Sequence, residues 1–284
     1  MKKKNLILNT IIYAFLLLVL AFTLLPVLYT ILASFKSNSE IMTHPESLFP
    51  IAPTIENYRI AWSGDNFNVG KMFFNSCIYT ILVMAITITI STATGYVFAR
   101  GGEFPGSKII FAIFSMLMFV NFGSITIYAV FRVLKIFNLS DSLWGLIVMK
   151  FFSIGTVNIY IVRSYVRTIS SSIDEAAEID GCSFLGIFVK IIAPLLKPVI
   201  ATLALLSFQA SWNEYMMPML FTISRPEQRP LIVGIMALKN SGNAASNWNL
   251  MLAGATVALI PILAVYGICN KYFVDGLAAG AVKG

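Results

Sequence analysis

The chain has 284 residues, of which 58% are hydrophobic and 12% are charged, and its mean hydropathy is +0.82. A soluble globular protein does not carry so apolar a surface, so the composition indicates a membrane protein and argues against a soluble enzyme or binding module. The formal net charge of +7 fits cytoplasmic loops beside anionic lipid better than nucleic-acid binding, because there is no extended basic tract.

Apolar segments of membrane-spanning length follow one another along the chain. Three lysines precede the first segment, which is too long for a signal peptide and lacks a convincing cleavage site. We therefore expect one all-α transmembrane domain over 1–284. Its six predicted helices lie at about 6–35, 73–98, 109–134, 143–162, 187–221 and 250–268.

The distribution of Lys and Arg predicts the orientation of the chain in the membrane. An even number of crossings places both termini on one side, and most basic residues of the short loops share that side. By the positive-inside rule this side is cytoplasmic. The two largest outer segments, 36–72 and 223–248, are rich in Pro, Asn, Ser and Gly. We expect them to be structured loops facing an external partner or solvent, with plain connection as the alternative.

Side chains suited to catalysis or metal binding are sparse. Cys77, Cys182 and Cys269 lie in or beside different apolar segments, so we expect free thiols. His44 has no second histidine and no cysteine near it, which argues against a metal hydrolase or a catalytic triad. The phosphate-binding pattern Gly-x-x-x-x-Gly-Lys-Ser/Thr is absent from the sequence, so we expect no ATP hydrolysis by this chain. From these observations together we expect no catalytic residue, no metal and no cofactor in this chain.

The loop over 170–190, between the fourth and fifth predicted spans, has the pattern of a helix, a turn and a second helix. Ser171 or Ser172 is predicted to cap the first helix. Gly181 is predicted to end that helix in a left-handed conformation, and Ser183 to cap the next helix. The sequence therefore predicts a short helix on the cytoplasmic side of the membrane.

This short helix is rich in alanine and acidic residues. Ala176 and Ala177 lie one turn before Asp180 and are predicted to form a small-residue patch that another protein can approach closely. The acids Glu175 and Glu178 flank the patch. An amphipathic linker lying on lipid is the alternative, but anionic headgroups repel the four acids of this segment, Asp174, Glu175, Glu178 and Asp180. We therefore favour a docking surface.

The same residues resemble a known family. Glu175-Ala176-Ala177, Gly181, Ile191 and Pro194 are similar to the EAA signature of ABC importer permeases. Two further segments resemble the second, maltose-type permease of carbohydrate-uptake systems. They are 211–215, which reads Ser-Trp-Asn-Glu-Tyr, and the tail 272–284.

The resemblance implies a type I ABC importer permease with a MetI-like fold, in the cell membrane. It implies a homologous second permease, two cytoplasmic ATPase subunits that use ATP and Mg²⁺, and a solute-binding protein outside. The function it implies is import of a sugar or oligosaccharide; import of a non-sugar solute and ion-coupled secondary transport are the alternatives. The residues it implies for contact with the ATPase are Glu175, Ala176, Ala177, Glu178, Asp180 and Gly181.

Polar residues within the fifth apolar segment are candidates for a transport pathway. Glu214 is the first candidate, because an ionisable group at membrane depth usually faces a pathway or a polar partner. Gln209, Trp212 and Asn213 add the hydrogen-bonding and aromatic surface that a sugar uses. A polar cluster that holds this span to its neighbours is the alternative.

Other segments supply further candidates. Asn121, Ser124 and Thr126 in the third span and Asn158 in the fourth are predicted to line the pathway or to serve helix packing. Lys150 is expected to extend toward the outer lipid headgroups.

Overall fold

The computed structural model describes residues 2–64, 67–101, 106–119, 125–153, 155–240 and 247–281, and it contains no strand in these ranges. The predicted all-α class is confirmed. The helices are α1 Lys2–Ala33, α2 Asn38–Thr43, α3 Glu56–Ser63, α4 Val69–Arg100, α5 Ser107–Leu117, α6 Ile125–Ile136, α7 Leu143–Lys150, α8 Thr156–Val166, α9 Ser172–Ile179, α10 Phe184–Ile187, α11 Ala193–Leu195, α12 Lys197–Trp212, α13 Met216–Phe221, α14 Leu231–Asn240 and α15 Trp248–Ala281. A π turn over Phe188–Ile192 joins α10 to α11, and a 3-10 turn covers Pro226–Gln228.

Three helical segments in the described ranges are long and apolar enough to cross a membrane without interruption. They are Ile7–Ala33, Val69–Arg100 and Trp248–Ile268, and they overlap the first, second and sixth predicted spans. A fourth candidate combines Phe184–Leu195 with Lys197–Trp212, two helical stretches that meet at an angle of 77°.

The third and fourth predicted spans are interrupted. The structure has two helices, α5 and α6, where the sequence predicts one helix over 109–134. It likewise has α7 and α8 where the sequence predicts one helix over 143–162. Ser153 and Gly155 lie between α7 and α8, and both residue types favour non-helical backbone: serine through local hydrogen bonds, glycine through its conformational entropy.

Two prolines explain the bend in the fifth predicted span. Pro194 and Pro198 each lack the N–H that a regular helix needs for its i→i−4 hydrogen bond. The turn before Pro194 widens to a π turn, in which the Ala193 N–H bonds the carbonyl of Phe188 instead. The 77° change in direction falls between these prolines, at Leu196.

The chain divides into two compact units, one formed by 1–73 with 231–260 and the other by 74–230 with 261–284. In the first unit, the buried Asn57 amide donates to the carbonyls of Ser34 and Lys36 at 2.7 and 2.8 Å. The Asn57 side-chain oxygen accepts from Asn249 Nδ2 at 2.7 Å. The described parts of the segment 36–72, which are 36–64 and 67–72, are therefore structured, as predicted. The apolar core of this unit contains Ala61, Phe67, Val69, Leu231, Ile235, Ala253 and Val257.

The second unit has two apolar clusters. One joins α4, α8, α9 and α12 and is here called the coupling core; its buried residues are Tyr96, Val162, Val166, Ala177, Ile187, Ile192, Leu196, Val199 and Leu203. The other joins α4, α6, α7 and α13; its buried residues are Tyr79, Val83, Ile86, Leu134, Leu143, Leu146, Ile147 and Phe221. Cys77 and Cys182 are free thiols, as predicted, and the Cys269 side chain lies outside the described residues.

Candidate functional site

Helix α9 ends in the conformation that the sequence predicts. Gly181 has φ +79° and its N–H donates to the Glu178 carbonyl at 2.9 Å, while the Cys182 N–H donates to the Ala177 carbonyl at 2.9 Å. These two bonds form a Schellman motif, which satisfies carbonyls that a helix end otherwise leaves unpaired. Ser183 accepts from the Gly186 N–H at 3.2 Å, so its predicted cap on the next helix is confirmed.

The start of α9 differs from the prediction. Ser171, the residue before the helix, makes no side-chain cap hydrogen bond. Ser170 takes this role in part, since its hydroxyl accepts from the Ser172 N–H at 3.4 Å and lies 2.8 Å from the Ser172 hydroxyl. The prediction of a cap from Ser171 or Ser172 was wrong because three consecutive serines offer alternative local hydrogen bonds, and the sequence does not rank them.

Helix α9 presents one buried and one exposed face. Asp174 and Ala177 are buried, and Ala177 belongs to the coupling core. The two alanines therefore do not form one outward patch: Ala176 faces out, while Ala177 packs inward. Ile179 is 87% exposed, a high value for so apolar a side chain. The exposed positions that the sequence analysis selects are Glu175, Ala176, Glu178, Asp180 and Gly181.

A buried ion pair connects α9 to the end of α4. Arg100 Nε lies 2.9 Å from Asp174 Oδ2, and the two side chains are only 15% and 13% exposed. The contact is an ion pair without the alignment of a hydrogen bond, because neither Asp174 oxygen accepts a hydrogen bond from the described residues. Arg100 Nη2 also donates to the Ile169 carbonyl, just before α9. One guanidinium thus fixes both the helix and the chain that leads into it.

Tyr96 makes a second connection, one helical turn before Arg100. Its ring stacks on Phe188 with centroids 5.0 Å apart and lies 4.7 Å from the Phe184 ring. Its hydroxyl donates to the Phe184 carbonyl at 3.3 Å. The chain on both sides of the α9 turn is therefore attached to α4, by a charge on one side and by aromatic packing on the other.

A second polar site lies where α7 and α12 end. Lys150 is the last residue of α7, and Glu214 lies in the short non-helical link between α12 and α13. Lys150 Nζ lies 3.2 Å from Glu214 Oε2, and the two side chains are 21% and 22% exposed. Tyr79, buried in α4, donates its hydroxyl to the same oxygen at 2.7 Å. The Glu214 carboxylate therefore has both a cationic and a neutral donor.

The ion pair borders a cavity of about 530 Å³, here called the polar cavity. Its apolar wall consists of Val83, Leu206 and Ala210. The hydroxyl oxygen of Ser207 is buried and has no hydrogen-bond partner among the described residues. The polar side chains that line the cavity are Thr87, Lys150, Asn158, Ser207, Ser211 and Glu214.

Comparison with known proteins identifies the family. A sequence profile described as a binding-protein-dependent transport system inner membrane component matches residues 91–278, more than half of the chain. The chain belongs to this family. Its members are membrane subunits of ABC importers, so the permease resemblance of the acidic loop is confirmed, and the family is one of transport subunits rather than enzymes.

Permeases named for carbohydrates are among the relatives. The probable starch degradation products transport system permease protein AmyC of Thermoanaerobacterium thermosulfurigenes is 34% identical over 95% of this chain and 95% of AmyC. The polygalacturonan/rhamnogalacturonan transport system permease protein YtcP of Bacillus subtilis (strain 168) is 31% identical over 99% of this chain and 100% of YtcP. The galactooligosaccharides transport system permease protein GanQ of the same strain is 31% identical over 99% of this chain and 96% of GanQ.

A solved structure establishes the permease fold. It is the crystal structure of a bacterial ABC transporter involved in the import of the acidic polysaccharide alginate. One of its chains is 23% identical to this permease, with a TM-score of 0.80, and the match covers 95% of this chain and 98% of that chain. The two chains therefore share the MetI-like fold that the sequence predicts.

The predicted pathway residues of this permease do not all lie at the polar cavity. Glu214 does. Trp212 instead stacks on Phe208 with centroids 5.6 Å apart and borders a separate, apolar cavity of about 340 Å³. Gln209 and Asn213 are exposed, and the Asn213 amide donates to the Gln209 carbonyl at 2.9 Å. Asn121 and Ser124 lie outside the described residues.

Sequence reasoning missed part of this site. Lys150 was expected to extend toward lipid headgroups, but it pairs with Glu214. The signal was present, since a lone lysine and a lone glutamate in apolar segments are a natural pair. Tyr79 and Ser207 carry no such signal, because tyrosine and serine are common in membrane helices. Among the described residues, no three His, Cys, Asp or Glu side chains come together as a metal site.

Proposed function

We propose that this chain is a transmembrane permease subunit of an ABC importer that takes up a sugar or oligosaccharide. The observation that carries the proposal is similarity over nearly the whole chain, at 31 to 34% identity, to permeases named for carbohydrate transport. The polar cavity supports it, since hydroxyl, amide and charged groups on one wall and apolar groups on the other suit a sugar.

The proposed coupling element is α9. Its exposed acids and Gly181 dock into a cytoplasmic ATPase subunit, while Ala177 and Asp174 fix the helix to the coupling core. Two such ATPase subunits bind and hydrolyse ATP with Mg²⁺, and a homologous second permease completes the pathway. A solute-binding protein delivers the sugar from outside. Movement of α9 then changes the access of the pathway by rigid-body motion.

The proposed topology keeps six crossings with both termini in the cytoplasm. In this arrangement α5 with α6 and α7 with α8 each form one interrupted crossing. Non-helical backbone at membrane depth is tolerated where it lines a hydrated cavity or is buried in protein. Lys150 at the end of α7 and Glu214 in the link just after α12 both border the polar cavity, which supports such interruptions.

Ion-coupled secondary transport is less well supported. Such a carrier needs a carboxylate free to take up a proton or a cation, and Glu214 was the candidate. Its carboxylate already contacts the Lys150 ammonium and the Tyr79 hydroxyl. The charge of Glu214 is therefore compensated within the chain.

The test uses the tagged chain purified from native membranes in mild detergent. We expect ATPase subunits, a second permease and, after reconstitution with the solute-binding protein, ATP-dependent uptake of labelled oligosaccharides. Glu175→Lys reverses one charge on the exposed face of α9 and is expected to lose most of the bound ATPase. Glu227→Lys, also an exposed glutamate but in the 3-10 turn, is the matched control and is expected to keep it.

The results test the coupling role of α9 and the identity of the transported solute separately. Purification of the wild type without any ATPase, or equal ATPase retention by the two variants, would contradict α9 as the coupling element. ATP-dependent uptake of an amino acid, peptide or inorganic ion in place of every carbohydrate tested would keep the permease and replace the sugar.

A further inference from the structure

The polar cavity has the size and the walls of a small-molecule site. Its volume of about 530 Å³ lies within the range of about 300–1,000 Å³ that ligand pockets occupy. Its lining comes from α4, α7, α8 and α12, so four helices converge on it. All of the lining residues belong to the second compact unit. The site is therefore built within this subunit.

Ser207 is the group that most directly indicates a ligand. Its side chain lies on the cavity wall, the residue is only 7% exposed, and its Oγ has no hydrogen-bond partner among the described residues. A buried hydroxyl without a partner is costly, so such groups usually have a partner in the functional state. Ser211, one turn further on, differs because its hydroxyl donates to the Ser207 carbonyl at 2.6 Å. Ser207 Oγ thus has no partner within the described chain, and because it is itself buried, a ligand hydroxyl bonds it only with a small shift of the cavity wall.

The charges on the wall limit the chemical class of that ligand. Lys150 and Glu214 are the only ionisable side chains among the described cavity residues, and they are paired. A sugar hydroxyl both donates and accepts, so it can bridge the carboxylate and the ammonium without separating them. A uronate carboxylate has to compete with Glu214 for Lys150, at a site that already holds one negative charge. The pair therefore favours an uncharged sugar.

We infer that the polar cavity is a substrate-binding subsite of this permease for a glycosyl unit of an uncharged oligosaccharide. Ser207 and Asn158 bind sugar hydroxyls, and the Lys150–Glu214 pair bridges a further hydroxyl. Val83, Leu206 and Ala210 contact the C–H face of the ring. The inference rests on the proposed function and adds to it that this subunit itself contacts the sugar.

The test begins with the wild type in the complete transporter, reconstituted with its solute-binding protein. Uptake is measured for maltotriose, galactotriose and arabinotriose as uncharged probes and for trigalacturonate as the acidic probe. Uptake of an uncharged probe is expected. Uptake of none of the four would contradict the proposed function itself, and uptake of trigalacturonate alone would overturn the uncharged class.

Occupancy of the cavity is then measured directly with a cysteine. Ser207→Cys is made in the complete transporter after the three native cysteines are replaced by serine, and its rate of modification by a small methanethiosulfonate is followed. The transported uncharged probe is expected to slow modification at least threefold. Thr202→Cys is the matched control, because Thr202 lies on the same helix but not on the cavity wall, and the sugar should leave its rate unchanged.

A transport measurement covers the case in which the cysteine disturbs the site. Ser207→Ala is expected to lower the uptake rate about threefold to tenfold, the fold-change for one lost hydrogen bond, while ATPase activity stimulated by the binding protein persists. Thr202→Val also removes a hydroxyl from α12 and is expected to transport normally. Suppose that a sugar transported by the wild type leaves the modification rate of Ser207→Cys unchanged and that Ser207→Ala takes up this sugar normally. These two results together would overturn the subsite and leave the proposed function standing.

Discussion

Substitutions at Gly181 test why a glycine ends helix α9. Its φ of +79° lies in the left-handed region, and a Cβ built on it meets no atom within 4 Å. In the chain by itself, a side chain at this position therefore brings backbone strain but no clash. An L-residue with a Cβ in this conformation costs about 1–2 kcal/mol, asparagine adopts it more readily than alanine, and β-branched residues are least tolerant.

The expected order of effects follows from this strain. Gly181→Ala is expected to weaken ATPase binding by up to about fivefold to thirtyfold, because the free variant can relax out of the left-handed conformation and has to return to it on docking, and about 1.4 kcal/mol corresponds to a factor of ten. Gly181→Asn is expected to be milder than Gly181→Ala, and Gly181→Val more severe. The measurement is titration of labelled ATPase subunits onto the detergent-solubilised permease complex.

The asparagine variant decides between two explanations for the glycine. If the ATPase surface approaches Gly181 so closely that no side chain fits, the loss follows side-chain size, and asparagine is worse than alanine. That order would refute the strain argument and would point to clearance in the docked complex as the reason for glycine.

The other predictions concern how α9 and its neighbours are held in place. Arg100→Met leaves the buried Asp174 carboxylate unpaired and is expected to destabilise the permease by about 3–5 kcal/mol. The double variant with Asp174→Leu should recover most of the thermal stability, because an apolar pair replaces an ion pair at little net cost. If Arg100→Met alone is as stable as the wild type, the Arg100–Asp174 ion pair contributes little to the stability of the permease. Gly95→Ala places a Cβ 2.6 Å from both Cβ and Cγ1 of Val162 and is expected to cost about 1–3 kcal/mol. Val162→Ala removes the Cγ1 contact but keeps the Cβ contact, so as a second change it is expected to recover only part of that stability in the same thermal assay. Ser183→Ala removes a helix cap worth about 1 kcal/mol and should lower the denaturation temperature of the purified complex by about 2–4 °C.

Local signals made the end of helix α9 predictable. Gly181 and Ser183 act on backbone groups within three residues or so of themselves, and the structure has both as predicted. The Arg100–Asp174 pair lay beyond such reasoning, because its members belong to helices far apart in the sequence. Asp174 appeared only as one of several acids that lipid headgroups repel. Its burial follows from packing of α9 on the coupling core, which is a tertiary property.

Hydropathy predicted where apolar segments occur but not where their helices break. Hydropathy averaged over a whole span does not show where the backbone of a single residue leaves the helix. The average therefore did not predict the interruption after Lys150 or the turn at Glu214. Hydropathy also does not show which face of a helix a side chain occupies, so it did not predict the position of Trp212. It follows Phe208 by four residues, so the two stack along one face of α12 and away from the polar cavity.

Helix α9 and the polar cavity are linked by one continuous set of contacts. Ala177 packs in the coupling core with Leu203, which lies midway along α12, and Ser207 follows one turn later on the same helix. A helix of sixteen residues is about 24 Å long and moves as a stiff body over that length. A displacement of α9 is therefore carried to the cavity wall unless the bend at Leu196 absorbs it. Leu196 is itself fully buried in the coupling core, the same cluster that contains Ala177 of α9, so side chains of this cluster pack against the bend. We expect α12 to pivot about this bend, which moves Ser207 relative to Lys150 when the ATPase subunits close.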